Sequence, residues 1–341
     1  MMQLYNNDAL AILKTLPDNY IDLIATDPPY FRVKSCAWDN QWDNVEAYLS
    51  WFDEVLVEFW RVLKPNGSLY LFCGSKLASD TELLVRGRFN VLSHIIWAKP
   101  SGPWRRQNKE SLRTFFPSTE RILFAEHYQK PITAKGSEFS LKCQELKQNV
   151  FKPLIDYFRN ARLALQVSSK EINQATDKQM FSHWFSNSQW QLPSEEDYKK
   201  LQTLFTHIAD KQEKLSSLSR QFTELEREQF TLQKDYQELI KEYGLLRRPF
   251  FVTADVPYTD VWAYPPVQYY PGKHLCEKPS AMMEHIIRSS SREGDLVADF
   301  FMGSGATLKA ALKLNRKVLG VELEKERFEQ TEQEIKALTC K

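Results

Sequence analysis

Four consecutive residues near the start of the chain, Asp27-Pro28-Pro29-Tyr30, combine a carboxylate, a rigid backbone and an aromatic ring. They follow a short apolar run, Ile21 to Thr26, which reads as a buried strand stopped by the two prolines. A carboxylate at the carboxyl end of such a strand points into the crevice where α/β sheets hold ligands. Together with the Pro28 carbonyl it can accept both hydrogen bonds of one planar NH₂ group. Holding both N–H bonds biases that nitrogen towards sp³ and localises the lone pair that otherwise conjugates into a ring. Tyr30 offers a face on which the ring can stack. A bare Asp-Pro-Pro is as readily a strand-ending turn; the following Tyr and a second motif far along the chain favour the ligand reading.

That second motif is Asp299-Phe300-Phe301-Met302-Gly303-Ser304-Gly305, between a strand at Leu296 to Asp299 and a helix from Ala306 to Leu314. Glycines there let the backbone approach a ligand, and a helix N-terminus favours negative charge. Glu322, at the end of the next strand and 17 residues after Gly305, is placed to accept both hydroxyls of a ribose. A lone Gly-x-Gly is often only a tight turn. The loop is not a full G-x-G-x-x-G, which argues against a pyrophosphate dinucleotide. Loop, acid and context together indicate a nucleoside-type cofactor.

The elements that must hold these motifs have α/β grammar. After the strand at Ile21 comes a helix over Asn44 to Leu63, closed by Pro65-Asn66-Gly67. Then follow a strand over Ser68 to Cys73, a short helix from about Leu77 and a strand from Phe89 to Trp97. At the other end, Lys278-Pro279 opens a helix to about Ser290, and Lys317 to Glu322 and Lys325 to Leu338 are strand and helix. Strand and helix in alternation predict a parallel sheet with crossovers. The middle differs: only Gly136 and Gly244 lie between Gly102 and Gly272, and no proline occurs from Ser194 to Arg248. The expected organisation is 1–135 and 249–341 as two halves of one sheet domain, with modules 150–194 and 195–248 between them.

With these residues in view, the chain resembles the amino-group DNA methyltransferases, in the group where the Asp-Pro-Pro-Tyr motif precedes the glycine motif. The matches are Asn7-Asp8-Ala9 with Leu16-Pro17-Asp18, Asp27 to Tyr30, His274-Leu275-Cys276-Glu277-Lys278-Pro279, and Asp299 to Gly305. They span about the first 130 residues and the last 70, in the family's order. Met302 departs from the small residue usual before the first glycine. The resemblance implies a Rossmann-like, doubly wound α/β sheet with the catalytic half first, and S-adenosyl-L-methionine as cofactor. It assigns Asp27, Pro28, Pro29 and Tyr30 to the target amine and its base. It assigns Asp299, Phe300, Gly303, Gly305 and Glu322 to the cofactor, Asp8 to its adenine, and Lys278 with Ser280 to the helix start near its carboxylate. The implied chemistry is in-line transfer from the sulfonium to the amine, driven by positioning and desolvation, with no covalent enzyme intermediate. No Pro-Cys motif of the kind carbon-5 methylation needs is present.

Two regions are candidates for holding double-stranded DNA. Lys99 to Arg113 carries five basic residues against one acid, so Arg105, Arg106, Lys109 and Arg113 suit phosphates and Trp104 an extruded base or its gap. A solvated loop is the plainer alternative. Between Leu154 and Trp190 the pattern resembles a helix-turn-helix: an amphipathic helix to Val167, a capped helix over Ser169 to Thr176, and a helix over Lys178 to Phe185. Lys178, Gln179, Ser182 and His183 would then face the groove; a small packing domain is the alternative. Leu201 to Leu246 follows alternating three-four spacing, with Lys211 and Gln229 the polar exceptions. This predicts a coiled-coil-like helix about 70 Å long, paired in a homodimer or folded onto its own enzyme.

Composition narrows the class. Of 341 residues 43% are hydrophobic and 26% charged, ordinary for a globular protein and unlike a disordered one. The formal net charge of +1 means that nucleic-acid contact must come from a local patch. No apolar run approaches the roughly 20 residues of a membrane span, and the opening residues lack the pattern of an export signal. Five scattered cysteines without a C-x-x-C pair suggest neither a disulfide framework nor a metal site. The expectation is a cytoplasmic, reduced, metal-free enzyme methylating adenine N6 at a specific DNA site. Cytosine N4 is the alternative target, and a DNA-binding regulator on an inactive methyltransferase scaffold the alternative class. RNA or protein glutamine methylation is a third possibility. No nuclease motif stands out.

Overall fold

The structure, a computed structural model, describes residues 2–33, 39–100, 110, 113–127, 137–187, 189–216, 232–252 and 258–339. Two compact units divide the chain: residues 1–143 with 248–341, and residues 144–247. Both ends of the sequence therefore build one unit, while the two expected middle modules share the other.

In chain order the first unit carries β1 (Met2–Asn6), α1 (Ala9–Leu13), β2 (Ile21–Thr26), α2 (Val45–Val62), β3 (Leu63–Cys73), α3 (Ala78–Arg86), β4 (Asn90–Ala98) and β5 (Thr119–Glu126). The chain then runs through α4 (Ser137–Ala164), α5 (Ser169–Thr176), α6 (Phe181–Phe185), α7 (Glu195–Ser216) and α8 (Tyr236–Leu246). It returns with β6 (Val261–Trp262), α9 (Ser280–Ser290), β7 (Leu296–Asp299), α10 (Ala306–Lys313), β8 (Lys317–Glu322) and α11 (Lys325–Thr339).

The eight strands form one sheet in the order β1-β8-β7-β2-β3-β5-β4-β6. The run β1-β8-β7-β2-β3 is parallel, as alternating strands and helices require. On the far side β5 lies antiparallel between β3 and β4, so the sheet is mixed rather than wholly parallel. Alternation decides which side chains go where. Ile24, Leu69, Leu71, Leu123, Ala298 and Leu319 face one way, onto Leu13 of α1, Phe52 and Phe59 of α2 and Val85 of α3. Leu23, Ala25, Tyr70, Phe72, Val297 and Val318 face the other, onto Met282 and Ile286 of α9, Leu308 of α10 and Ile335 of α11. A sheet buried on both faces reads as continuous apolar runs, which is why Ile21 to Ala25 shows no polar alternation beyond Asp22. Asp22 is held by Lys64 at 2.7 Å and by the Leu296 amide at 2.9 Å.

The second unit has its own core, centred on Leu154, Phe158, Ile172, Trp184, Tyr198, Leu201, Phe205 and Leu239. Helix α5 is closed by a capping box: Ser168 Oγ accepts from the Glu171 amide at 3.3 Å, and Glu171 accepts from the Ser168 amide at 2.9 Å. The helix expected over Lys178 to Phe185 is shorter; α6 occupies only Phe181–Phe185.

A continuous helix from Leu201 to Leu246 does not form. Residues 232–235 are not helical, and Asp235 starts α8 by accepting from the Gln237 amide at 2.8 Å. Tyr198 donates its hydroxyl to the Lys234 carbonyl at 2.9 Å, and Gln202 donates to the Leu232 carbonyl at 2.9 Å. Residues 198 and 234 would stand about 50 Å apart in one straight helix. Instead the chain has turned back by residue 234. Among the described heptad residues, Leu201, Leu232 and Leu239 are therefore turned into the core of their own unit. Leu218, Phe222, Leu225 and Gln229 lie outside the described residues.

Candidate active site

Because β2 and β7 pair, with Leu23 opposite Val297 and Ile24 opposite Ala298, the turn after β2 and the loop after β7 leave the sheet side by side. Thr26 fastens them: its hydroxyl donates to Asp299 Oδ1 at 2.7 Å across 273 residues of sequence, and accepts from the Phe300 amide at 3.2 Å. Both motifs line one cavity of about 530 Å³, within the range of small-molecule sites. Asp8, Asp27, Pro28, Pro29, Tyr30, Lys278, Asp299, Phe300, Gly303 and Glu322 are all in its wall.

On the β7 side the loop is held by its own acids. Asp299 Oδ2 accepts from Thr307 Oγ1 at 2.7 Å, and Oδ1 also accepts from the Phe301 amide at 3.2 Å. Burial pushes its carboxyl up to about 6 despite these donors. Through Thr26, Thr307 and the Phe301 amide, Asp299 ties the loop to β2 and α10. Gly303 has φ of +47°, and a Cβ there would stand 3.0 Å from the His274 ring. Its amide donates to Glu322 Oε2 at 2.9 Å, while Oε1 accepts from the Glu324 amide at 2.9 Å. Burial raises the Glu322 carboxyl above its ordinary range, and lowers His274 to about 4. Gly305 sits just behind the wall as the N-cap of α10, with φ of +69°. Asp8 caps α1, accepting from the Ala11 amide at 2.9 Å.

On the β2 side each Asp27 oxygen has a donor. Tyr30 donates its hydroxyl to Asp27 Oδ1 at 2.7 Å, and Lys278 Nζ donates to Oδ2. Burial and the Glu120 charge raise the Asp27 carboxyl, against the opposing pull of Lys278. Glu120 is half-buried, and Lys278 and Lys99 together hold it below its ordinary value despite the desolvation. The Tyr30 hydroxyl is raised by burial and by both carboxylates. The turn itself is braced: the Tyr30 amide donates to Asp39 Oδ1 at 2.8 Å, and Tyr48 donates to the Pro29 carbonyl at 3.1 Å.

Ser280 and Arg113 are not in the cavity wall. Ser280 is exposed on α9 and donates to Glu284 at 3.2 Å. Lys278 points at Asp27 and Glu120. Trp104, Arg105, Arg106 and Lys109 are outside the described residues, and Arg113 donates to the Glu110 carbonyl at 3.1 Å. In the helical unit Lys178 pairs with Asp197 at 2.8 Å, Gln179 accepts from Asn173 at 2.9 Å, and His183 meets the Gln189 carbonyl at 3.4 Å; Ser182 is exposed. Glu120, also in the wall, belongs to no motif of the sequence. It stands on β5, a strand without an isolating turn signal, and only the pairing of β5 with β3 and β4 brings it to the cavity.

A sheet with both motifs at adjacent strand ends defines a class, and the chain as a whole matches one: over residues 21–333 it belongs to the N6_N4_Mtase family of DNA methylases. It is 24% identical over 329 residues to the DNA adenine methyltransferase YhdJ of Escherichia coli, covering 94% of this chain and 78% of that one. It is 24% identical over 331 residues to the Type II methyltransferase M.HpaI of Haemophilus parainfluenzae, covering 96% and 72%. Among solved structures, a Thermus thermophilus protein described as a DNA modification methylase and complexed with S-adenosyl-L-methionine shares the fold with TM-score 0.50, 19% identity and coverage of 99% and 96%. The cytosine-N4-specific PvuII DNA methyltransferase does so with TM-score 0.51, 15% identity and coverage of 98% and 90%. Among the described residues no group suited to a metal ion and no helix long and apolar enough to cross a membrane occurs.

Proposed function

We propose that this protein is a site-specific DNA methyltransferase that transfers a methyl group from S-adenosyl-L-methionine to the N6 amine of adenine. The observation that carries the reading is that the Asp27 carboxylate lines one cavity with the Gly303 loop and Glu322 although they come from opposite ends of the chain. The residues suit the cofactor: Glu322 offers ribose-binding oxygens beside a glycine backbone, and the carboxylate-lined wall suits a sulfonium cation. When bound, the cofactor supplies an electrophilic methyl group. The chain supplies position: Asp27 and the Pro28 carbonyl orient the amine, Tyr30 and the Asp39 brace fix the turn, and burial excludes water.

Adenine is favoured by the Asp that opens the motif and by the adenine specificity named for YhdJ. The same carboxylate serves an N4 amine, and cytosine is the second reading, supported by membership of a family that covers both amines. DNA contact is assigned to the basic segment around Arg105, Arg106 and Arg113. A further assignment is the exposed surface of the helical unit that carries Gln179 and Ser182.

The test is base-resolved modification sequencing of DNA from a methylation-free host expressing the wild type, beside one expressing Asp27→Ala. Methyladenine in one recurring motif, absent with the variant, is expected. Methylcytosine at N4 transfers the reading to the second target. Marks of equal strength with the variant, or none with the wild type, refute it.

A further inference from the structure

The floor of the cavity holds more charge than orienting an amine requires. Asp27 and Glu120 face Lys278 and Lys99, and the Lys278 side chain is only 9% exposed. Its ammonium donates to Asp27 Oδ2, on the carboxylate where the target amine is to bind. It also stands 3.4 Å from Glu120 Oε2 and 5.1 Å from the Phe72 ring centroid. One ammonium thus has two carboxylate berths along the same aromatic wall. A charge-assisted hydrogen bond is about twice as strong as a neutral one, so a neutral amine does not displace this ammonium from Asp27 unaided. A second, half-buried carboxylate changes that balance, because the buried lysine leaves one anion for another and is never left unpaired.

We infer that Glu120 is a positioning residue for the proposed methylation: it receives the Lys278 ammonium when the target amine takes its place on Asp27. The inference rests on the function proposed above. It makes Lys278 a placeholder that keeps Asp27 paired in the empty cavity, and it assigns Lys99 to hold Glu120 ready for the transfer.

Glu120→Gln in the full chain tests this, with steady-state methylation of a duplex carrying the recurring motif. With only one berth left, the ammonium competes with the amine, and KM for DNA is expected to rise about tenfold or more. Cofactor Kd should stay within about twofold, and Glu120→Gln with Lys278→Met should bring KM back to within about threefold of wild type. A purely structural role for Glu120 predicts no such recovery. If Glu120→Gln does not fold, Glu120→Asp keeps the charge but withdraws it from Lys278, and is expected to raise KM in the same direction. An unchanged KM in the folded single variant, or no recovery in the double variant, overturns the inference. Failure of the functional proposal looks different: the wild type then marks no DNA, or Asp27→Ala matches it, whatever Glu120→Gln does.

Discussion

Asp299 offers a prediction whose size follows from its surroundings. Its carboxyl is 4% exposed and rises from an ordinary 3.8 to about 6 because burial penalises the charge. A carboxyl raised on folding stabilises the protein below its unfolded value, and that contribution is lost as pH climbs through the folded value. Above pH 7 the folded state carries the whole penalty, about 3 kcal/mol relative to low pH; at pH 5 it carries only about 1.5 kcal/mol. Asparagine has the same shape and no charge. Its oxygen can still accept from Thr26 Oγ1 and the Phe301 amide, while the Thr307 hydroxyl must rotate to accept instead of donate. That rearrangement costs about 1 kcal/mol at every pH and cancels between conditions. Asp299→Asn is therefore expected to be better placed relative to wild type at pH 8 than at pH 5 by about 1.5 kcal/mol. Urea denaturation of both proteins at both pH values measures this. An equal difference at the two pH values, or one that moves the other way, would refute the assignment of the penalty to this carboxylate.

Other perturbations test the frame around the site. Gly305→Ala places a Cβ 2.6 Å from Thr331 Cγ2 at a φ of +69°, so a loss of about 2–4 kcal/mol is expected, and an unchanged Tm refutes it. Arg248→Ala leaves Glu126, 5% exposed, without its cation. The expected loss is about 3–5 kcal/mol at pH 8, shrinking at pH 5 as the orphaned carboxyl takes up a proton; equal losses at both would argue against an unpaired charge. Leu239→Ala empties a fully buried position in the helical unit and should cost about 2–5 kcal/mol with no change in mass by light scattering. A fall in mass would return Leu239 to an intersubunit seam.

What could be read from the sequence was local. Ile21 to Thr26 and Leu296 to Asp299 announce themselves as strands because both sheet faces are buried, and Asn44 announces α2 because its side chain accepts from the Ala47 amide. The two motifs were legible because carboxylate, proline and glycine each have few structural uses. What could not be read depended on distant pairing. Met2–Asn6 becomes a strand only by lying against β8, and Thr119–Glu126 only by entering between β3 and β4. Lys278 could be placed near a ligand, but its partners Asp27 and Glu120 come from other strands. The heptads left two readings open for a related reason: three-four spacing marks an apolar face, and helices folded back within one chain need the same face as helices from two chains.

The pairing of β2 with β7 and of β1 with β8 also governs when the protein comes into being on the ribosome. The Asp27 turn is synthesised early, while the strand that must lie beside it emerges only after the helical unit. At about 5–20 residues per second that interval is on the order of tens of seconds. Until β7 arrives, one side of β2 has no neighbour, and the Asp299 loop that Thr26 is to fasten does not yet exist. A nascent chain halted in that interval bears the Asp27 turn without the glycine loop, so the cavity that both line is not yet formed. The cavity is therefore completed in one late step, after the helical unit and both halves of the sheet have been made.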